Sequence, residues 1–191
     1  MLGGLVRVLP DTNVCYPISM LDLVLRCDEQ DLHRVVWTEA LLEELAGVWV
    51  RNGARSFESA RAITDQIRTV FASGRIEPSL YEHLVPKKPG GDPDDHEHAA
   101  AAASVAPSVL LTANISDFPP SALADRGVIV MHPDDYFLHL LGDETDTIVG
   151  VLSDMAAQRS RPPLTLEDIL STLERAGMAR FAAEARRGGD A

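Results

Sequence analysis

Four acidic positions stand where a hydrophobic segment of the sequence ends or turns, and their side chains are the ones best suited to chemistry. They are Asp11, Glu44, the cluster Asp92/Asp94/Asp95, and Asp117. Two carboxylates about 4 Å apart repel each other by roughly 4 kcal/mol at an effective dielectric of 20. A bound divalent cation is the usual way to offset that repulsion. If these residues converge in the fold, they indicate a metal site.

Short apolar runs that precede or separate these residues have the pattern of buried strands. The runs cover residues 5–9, 34–37, 108–112 and 128–131. Helical patterns alternate with them, and this alternation predicts an α/β domain with a mainly parallel central sheet. In such sheets ligand sites form beyond the carboxyl ends of the strands. Asp11, Asp117 and the aspartate cluster are expected there.

Two helices between the second and third strands carry periodic apolar residues. In the helix that Thr38 opens, Glu44 lies beside the apolar face, while Glu39 and Glu43 lean away. Glu44 is therefore the preferred inward carboxylate, with Glu43 as the alternative. The next helix, over residues 54–73, is predicted to end at Gly74 as its C-cap. Its predicted apolar stripe is Phe57, Ala60, Ile63, Ile67, Val70 and Phe71.

The aspartate cluster follows a stretch rich in proline and glycine, residues 86–93, which predicts a loop. Asp92 has the position of an N-cap and Pro93 that of the first helical residue. Asp94 and Asp95 then occupy the first turn, where the helix dipole favours carboxylates. The alanine run at 99–103 would let this helix approach the sheet closely.

Composition limits the class of protein. The chain has 191 residues, 46% of them hydrophobic, which suits a folded domain with an appendage. Its net charge of -12 argues against general affinity for phosphate backbones, although residues 47–91 carry seven basic against four acidic side chains. Cys15 and Cys27 are expected on one helix, reduced and buried. With no secretory signal or membrane-length apolar run, we expect a cytoplasmic protein.

The pattern changes to helices alone after Gly142. We therefore predict two parts, an α/β domain over residues 1–141 and a helical extension over residues 142–191. The extension joins the domain with little free linker.

Four segments in order resemble the motifs of PIN-domain ribonucleases, especially the VapC-type toxins of bacterial toxin–antitoxin pairs. They are DTNV from Asp11, TEALLEEL from Thr38, GDPDDHEHAAAA from Gly91, and LLTANISDFP from Leu110. The resemblance spans about residues 5–141. Each motif alone is a weak signal, and the four in this order and spacing are a strong one.

The resemblance implies a PIN-like fold and a metal-dependent endoribonuclease. Asp11, Glu44, Asp95 and Asp117 would hold one or two Mg²⁺ or Mn²⁺ ions, and Asp95 is preferred to Asp94 because its distance from the alanine run matches the family. Thr12, Asn13, Thr112 and Asn114 would support these ligands through hydrogen bonds. Asn114 stands where family members often carry a further carboxylate. The resemblance also implies an RNA substrate, a cognate antitoxin protein, a homodimer and no membrane association.

Two other function classes fit part of the pattern. A phosphatase of the haloacid-dehalogenase type uses an aspartate after the first strand as nucleophile, but it needs a second aspartate two residues later, where this chain has Asn13. A PIN-like scaffold without catalysis would be a binding module only. His96 and His98 are two residues apart and point to different sides of a helix, so a zinc motif is not expected. RNA cleavage that depends on a divalent metal would separate these classes.

Overall fold

The structure, a computed structural model, describes residues 5–85, 93–118, 120–158 and 163–188. The strands are β1 (Arg7–Pro10), β2 (Arg34–Val35), β3 (Ser108–Leu111) and β4 (Val128–Met131). The helices are α1 (Thr12–Cys15), α2 (Ile18–Glu29), α3 (Glu39–Arg51), α4 (Phe57–Val70), α5 (Pro78–Tyr81), α6 (Pro93–Ser104), α7 (Pro120–Ala124), α8 (Pro133–Asp143), α9 (Thr145–Ala157), α10 (Leu166–Arg175) and α11 (Ala179–Gly188).

The four strands form one parallel sheet in the order β2-β1-β3-β4. Val8 of β1 lies opposite Val35 on one side and Val109 on the other. Helices cover both faces, as expected for parallel strands that are buried on two sides. The predicted α/β class with a PIN-like parallel sheet and a helical C-terminal part is confirmed.

Alternation along the strands sends successive side chains to opposite faces of the sheet. Val8 and Val109 belong to a cluster that also contains residues of α2 and of α8 to α11. Leu9 and Leu110 belong to a second cluster with the alanines of α6. Ala101 is fully buried there, so the predicted close approach of the alanine run to the sheet is confirmed.

The C-terminal helices share the first cluster instead of standing apart from it. Ile148, Leu173 and Phe181 are fully buried in that cluster. Asp134 at the start of α8 also accepts a hydrogen bond of 2.8 Å from the backbone N–H of Phe181. These helices therefore complete the core on the face of the sheet that carries Val8 and Val109. The division into residues 1–141 and 142–191 stays a prediction.

Three local expectations are wrong. Cys15 and Cys27, both buried free thiols, lie on α1 and α2 and not on one helix, because Pro17 precedes the first residue of α2 and interrupts the helical backbone. Helix α4 ends at Val70, not at Gly74. Two residues of the predicted apolar stripe are exposed, Phe57 by 63% and Val70 by 54%.

Strand β2 is shorter than the predicted run 34–37 because Trp37 pairs elsewhere. The backbone N–H of Trp37 donates to the carbonyl of Gly74 at 3.0 Å, and the N–H of Ile76 donates to the carbonyl of Trp37 at 2.8 Å. This bridge brings the turn Ala72–Gly74 against β2. A Cβ added at Gly74 would lie 2.0 Å from the carbonyl oxygen of Val35, so only glycine fits this contact.

His33 connects α2 to α8 inside the core. Its Nε2 lies 2.9 Å from the carbonyl oxygen of Val24 and its Nδ1 lies 2.8 Å from the hydroxyl of Tyr136. Since a carbonyl only accepts, Nε2 carries the proton and Nδ1 accepts from the tyrosine. Burial lowers the pKa of His33 from 6.5 to about 4, with the nearby Arg34 charge acting in the same direction and the Val24 hydrogen bond against it.

This lowered pKa predicts a loss of stability in mild acid. Between pH 6.5 and 4 the unfolded chain binds a proton at His33 that the folded chain does not, so the free energy of unfolding falls as pH falls. The full loss is on the order of 3 kcal/mol. Denaturant unfolding of wild type and His33→Gln should show it as a stability difference that shrinks toward pH 4.

Comparing the free energies of unfolding of wild type and His33→Gln at the same pH cancels the contributions of other titrating groups. The pKa values of His98 and Asp28 are raised in the fold, so both act in the opposite direction and are common to the two proteins. A stability difference that stays constant from pH 7 to pH 4 would show that His33 titrates normally.

Candidate active site

Four of the acidic residues singled out in the sequence line one pocket beyond the carboxyl ends of β1 and β3. Its volume is about 390 Å³. The lining residues are Asp11, Thr12, Asn13, Tyr16, Glu44, Val48, Asn52, Asp95, Asn114 and Asp117. Asp11, Glu44, Asp95 and Asp117 come from four separate segments of the chain, and the fold brings them to the same cavity.

Asp11 is held in place by hydrogen bonds to both of its carboxylate oxygens. It directly follows β1, and its backbone N–H donates to the carbonyl of Leu111 at 2.8 Å. Its Oδ1 accepts from the backbone N–H of Thr12 at 2.6 Å, while Oδ2 accepts from the hydroxyl of Thr112 at 2.8 Å and from the amide of Asn13. The side chain is both the N-cap of α1 and a buried wall of the pocket. A capping role and a site role are therefore compatible here.

Glu44 reaches the pocket from α3, which Thr38 caps as predicted. The hydroxyl of Thr12 donates to Glu44 Oε2 at 2.7 Å, so Thr12 joins the segment after β1 to α3. Glu43 is exposed and lines a different groove, and Glu39 forms an ion pair with Arg68. Of the three glutamates on this helix, the structure brings Glu44 next to Asp11.

The polar residues predicted to support the ligands connect the loops after β1 and β3. Asn13 Nδ2 donates to Thr112 Oγ1 at 3.1 Å, and Asn13 Oδ1 accepts from the backbone N–H of Ala113 at 3.0 Å. Thr112 Oγ1 also accepts from the N–H of Asn114 at 3.0 Å. These bonds fix the distance between the two strand ends. The side chain of Asn114 lines the pocket and is exposed.

The remaining two carboxylates stand at the rim. Asp95 is half-buried in the first turn of α6. Asp117 is exposed at the end of the turn Ile115–Asp117, which the fully buried Phe118 anchors. The predicted N-cap role of Asp92 and the side chain of Asp94 lie outside the described residues, so the choice between Asp94 and Asp95 stays a prediction.

His98 is a pocket neighbour that the sequence reasoning missed. It is 2% exposed, with Nδ1 3.3 Å from Asp11 Oδ1 and Nε2 3.5 Å from Glu44 Oε2. A signal existed, because position 98 is three residues before the buried Ala101 and so faces the same side of α6. The histidine pair was weighed only as a zinc motif.

The ring of His98 lies between the two carboxylates. Burial by itself lowers the pKa of His98, but hydrogen bonding and attraction to Asp11, with the charges of Glu44 and Glu97, outweigh it and raise the pKa above 6.5. When the ring is protonated, its charge offsets part of the repulsion between Asp11 and Glu44. His98 thus contributes to the tolerance of paired carboxylates in this cavity.

The donor set suits a hydrated hard cation better than a preformed metal cage. Across the described ranges, no group of three or more His, Cys, Asp or Glu side chains is arranged to hold a metal ion. Mg²⁺ keeps several waters and is commonly bound through only one or two carboxylates. The carboxylate, amide and hydroxyl oxygens of this pocket fit such an ion. Metal binding itself stays a prediction.

None of the helices within the described part of the chain combines the length and apolarity needed to cross a bilayer.

Comparison with known proteins identifies relatives. A family described as "VapC50 C-terminal domain" matches residues 133–187. The chain is also 30% identical over 139 residues to a protein of Mycobacterium tuberculosis (strain ATCC 25618 / H37Rv) described as "Putative ribonuclease VapC50", and the alignment covers 73% of this chain and 78% of that relative. No solved structure matches the chain. The parallel sheet, the acidic pocket at its carboxyl edge and this relative agree, and the chain belongs to the VapC-type family of PIN-domain ribonucleases.

Proposed function

We propose that the protein is a divalent-metal-dependent endoribonuclease that hydrolyses RNA phosphodiester bonds, and that it is the toxin of a VapBC-type toxin–antitoxin pair. The observation that carries the proposal is the convergence of Asp11, Glu44, Asp95 and Asp117 on one pocket. The printed name of the relative describes a ribonuclease, which supports the same class of reaction.

The proposed cofactor is Mg²⁺ or Mn²⁺, held by Asp11 together with Glu44, Asp95 or Asp117. When bound, the cation would activate a water and stabilise the leaving oxygen of the phosphodiester. Asp11 is suited to be the central ligand because the donors from Thr12, Asn13 and Thr112 fix its orientation. Glu44 would complete the ligand set or orient the attacking water.

The charges around the pocket support the proposed dependence on a metal ion. RNA phosphates are repelled by a chain with a net charge of -12 and by a pocket with four carboxylates. The arginines of the basic stretch 47–91 offset this only in part, because Arg61, Arg68 and Arg75 form ion pairs with acidic neighbours. A cation in the pocket would supply the missing positive charge at the bond that is cut.

The same charge balance supports the proposal that a partner protein controls the enzyme. We expect a cognate antitoxin to inhibit the enzyme by placing a basic side chain among the carboxylates, where its charge would replace that of the metal. We also expect a cytoplasmic homodimer. These expectations extend the family assignment and are separate from the test of catalysis.

An RNA cleavage assay with matched glutamate variants tests the proposal. Wild type stripped of metal with a chelator should not cleave RNA and should regain activity when Mn²⁺ or Mg²⁺ is added. Glu44→Gln should lose activity by roughly 100-fold or more, since it loses a carboxylate charge at the metal. Glu43→Gln is the control, because Glu43 directly precedes Glu44 on α3 but lines another groove. This variant should cleave RNA like wild type.

The outcomes separate the three function classes. Hydrolysis of a small phosphate monoester without RNA cleavage would favour the phosphatase. No activity on either substrate, with RNA still bound, would favour a binding module. RNA cleavage that survives thorough removal of metal would contradict the proposed mechanism.

A further inference from the structure

The site pocket has a second, uncharged side that the metal chemistry does not use. Glu44, Val48 and Asn52 lie four residues apart on α3 and all line the pocket. A spacing of four places side chains in one row along a helix. This row begins at the carboxylate and ends at an amide on the exposed C-cap of the helix, so the pocket continues away from the acidic residues over a neutral surface.

Tyr16 lies on the same side of the pocket, at the C-cap of α1. Its backbone carbonyl accepts a hydrogen bond of 2.9 Å from the indole N–H of Trp49, which is 1% exposed. Tyr16 packs in part against the cluster around Trp49 and is only half-buried. A buried tryptophan therefore fixes the position of an aromatic residue that lines the cavity.

The chemistry of this neutral side matches a nucleobase and not a phosphate. A base carries no net charge and can lie beside four carboxylates without repulsion, whereas a phosphate can enter only where a cation is bound. Aromatic rings bind unpaired bases by stacking, and side-chain amides donate to and accept from base edges. Tyr16 offers the first kind of contact and Asn52 the second.

We propose that Tyr16 and Asn52 form a subsite that binds one unpaired nucleobase of the RNA adjacent to the bond that is cut. The inference rests on the proposed ribonuclease function and adds the residues that contact a base of the substrate, with a base preference set by Asn52. Tyr16 supplies affinity for any base, because every base has a face that can stack. Asn52 supplies selectivity, because its amide pairs differently with each base edge.

Steady-state cleavage of short single-stranded RNAs tests the subsite. Tyr16→Leu, which keeps an apolar side chain but removes the ring, should raise KM by roughly 5- to 100-fold. Its kcat should change little, because the contact is equally strong in the ground state and the transition state. Tyr16→Phe should retain the KM of wild type. Asn52→Ala should reduce the preference among RNAs that differ in one base next to the cut.

Gln30→Ala is the matched control for Asn52. Gln30 is likewise an exposed amide at the C-cap of a helix, α2, but it does not line the pocket. This variant should keep the KM and base preference of wild type. Thermal unfolding of each variant shows whether a kinetic change reflects lost folding. If it does, Tyr16→Phe and Tyr16→Leu should both change kcat as well as KM.

A direct binding measurement gives a readout that a structural role would not change. The RNA carries the fluorescent base 2-aminopurine next to the bond that is cut, and the protein carries Glu44→Gln so that it binds without cleaving. The RNA should lose fluorescence on binding to this protein with Tyr16 unchanged or with Tyr16→Phe. It should not lose fluorescence with Tyr16→Leu. If wild type cleaves RNA but Tyr16→Leu and Asn52→Ala leave KM, base preference and quenching unchanged, the subsite is refuted and the nuclease is not. If wild type cleaves no RNA, the proposed function fails and the subsite with it.

Discussion

Asp11→Asn is expected to lower the rate of RNA cleavage by at least about 100-fold and to destabilise the fold as well. The carboxylate accepts hydrogen bonds from Thr12, Asn13 and Thr112. In asparagine, an NH₂ group replaces one carboxylate oxygen and cannot accept the hydrogen bond that this oxygen receives. A buried donor that is left without an acceptor costs about 1 to 3 kcal/mol.

Relief of charge repulsion acts in the opposite direction but should be the smaller effect. Removal of one charge near Glu44 would stabilise an isolated pair of carboxylates. Here the ring of His98 lies within 3.5 Å of Glu44 and 3.3 Å of Asp11, and when it is protonated its charge offsets part of the repulsion before the substitution. We therefore expect a net loss in the free energy of unfolding, measured by denaturant titration beside single-turnover cleavage.

Two other aspartates serve as controls for this prediction. Asp117→Asn changes an exposed carboxylate of the same pocket and should reduce cleavage with little change in stability. Asp125→Asn changes an exposed residue outside the pocket and should alter neither. Metal-dependent cleavage by Asp11→Asn at the wild-type rate would remove Asp11 from catalysis.

Gly74→Ala is expected to cost on the order of 3 kcal/mol of stability or to prevent folding. The added Cβ would lie 2.0 Å from the carbonyl oxygen of Val35 and 3.1 Å from its carbonyl carbon. Both are backbone atoms of β2, so no side-chain rotation can relieve the contact. To make room, the turn must move away from the sheet, which breaks the bridge between Gly74 and Trp37.

Gly150→Ala is the control for this steric argument. Gly150 is in the interior of α9, and an added Cβ there has no neighbour within 4 Å. Alanine is the better helix former, so this variant should gain about 0.5 to 1 kcal/mol. Equal effects of the two substitutions in urea unfolding would show that the contact with Val35 is not rigid.

The sequence by itself determined the types of the secondary-structure elements and which acidic residues lie at the site. Apolar runs bounded by polar residues identified the four strands, and the spacing on α3 distinguished Glu44 from Glu43. These signals are local, because the alternation of a strand and the period of a helix are set by backbone geometry within a few residues. The carboxyl ends of parallel strands meet at one edge of the sheet, which placed Asp11 and Asp117 together.

Only the tertiary structure decided which side chains meet across segments distant in the chain. His98 became the neighbour of Asp11 and Glu44 because α6 packs against β1 and β3, beside the strand end that carries Asp11. Phe57 is 63% exposed although its position fits the apolar stripe of α4. The requirement for glycine at position 74 likewise comes from β2, whose carbonyl approaches the turn from almost forty residues away in sequence. Such contacts depend on how helices and strands pack against each other, and periodicity within one element carries no information about its neighbours.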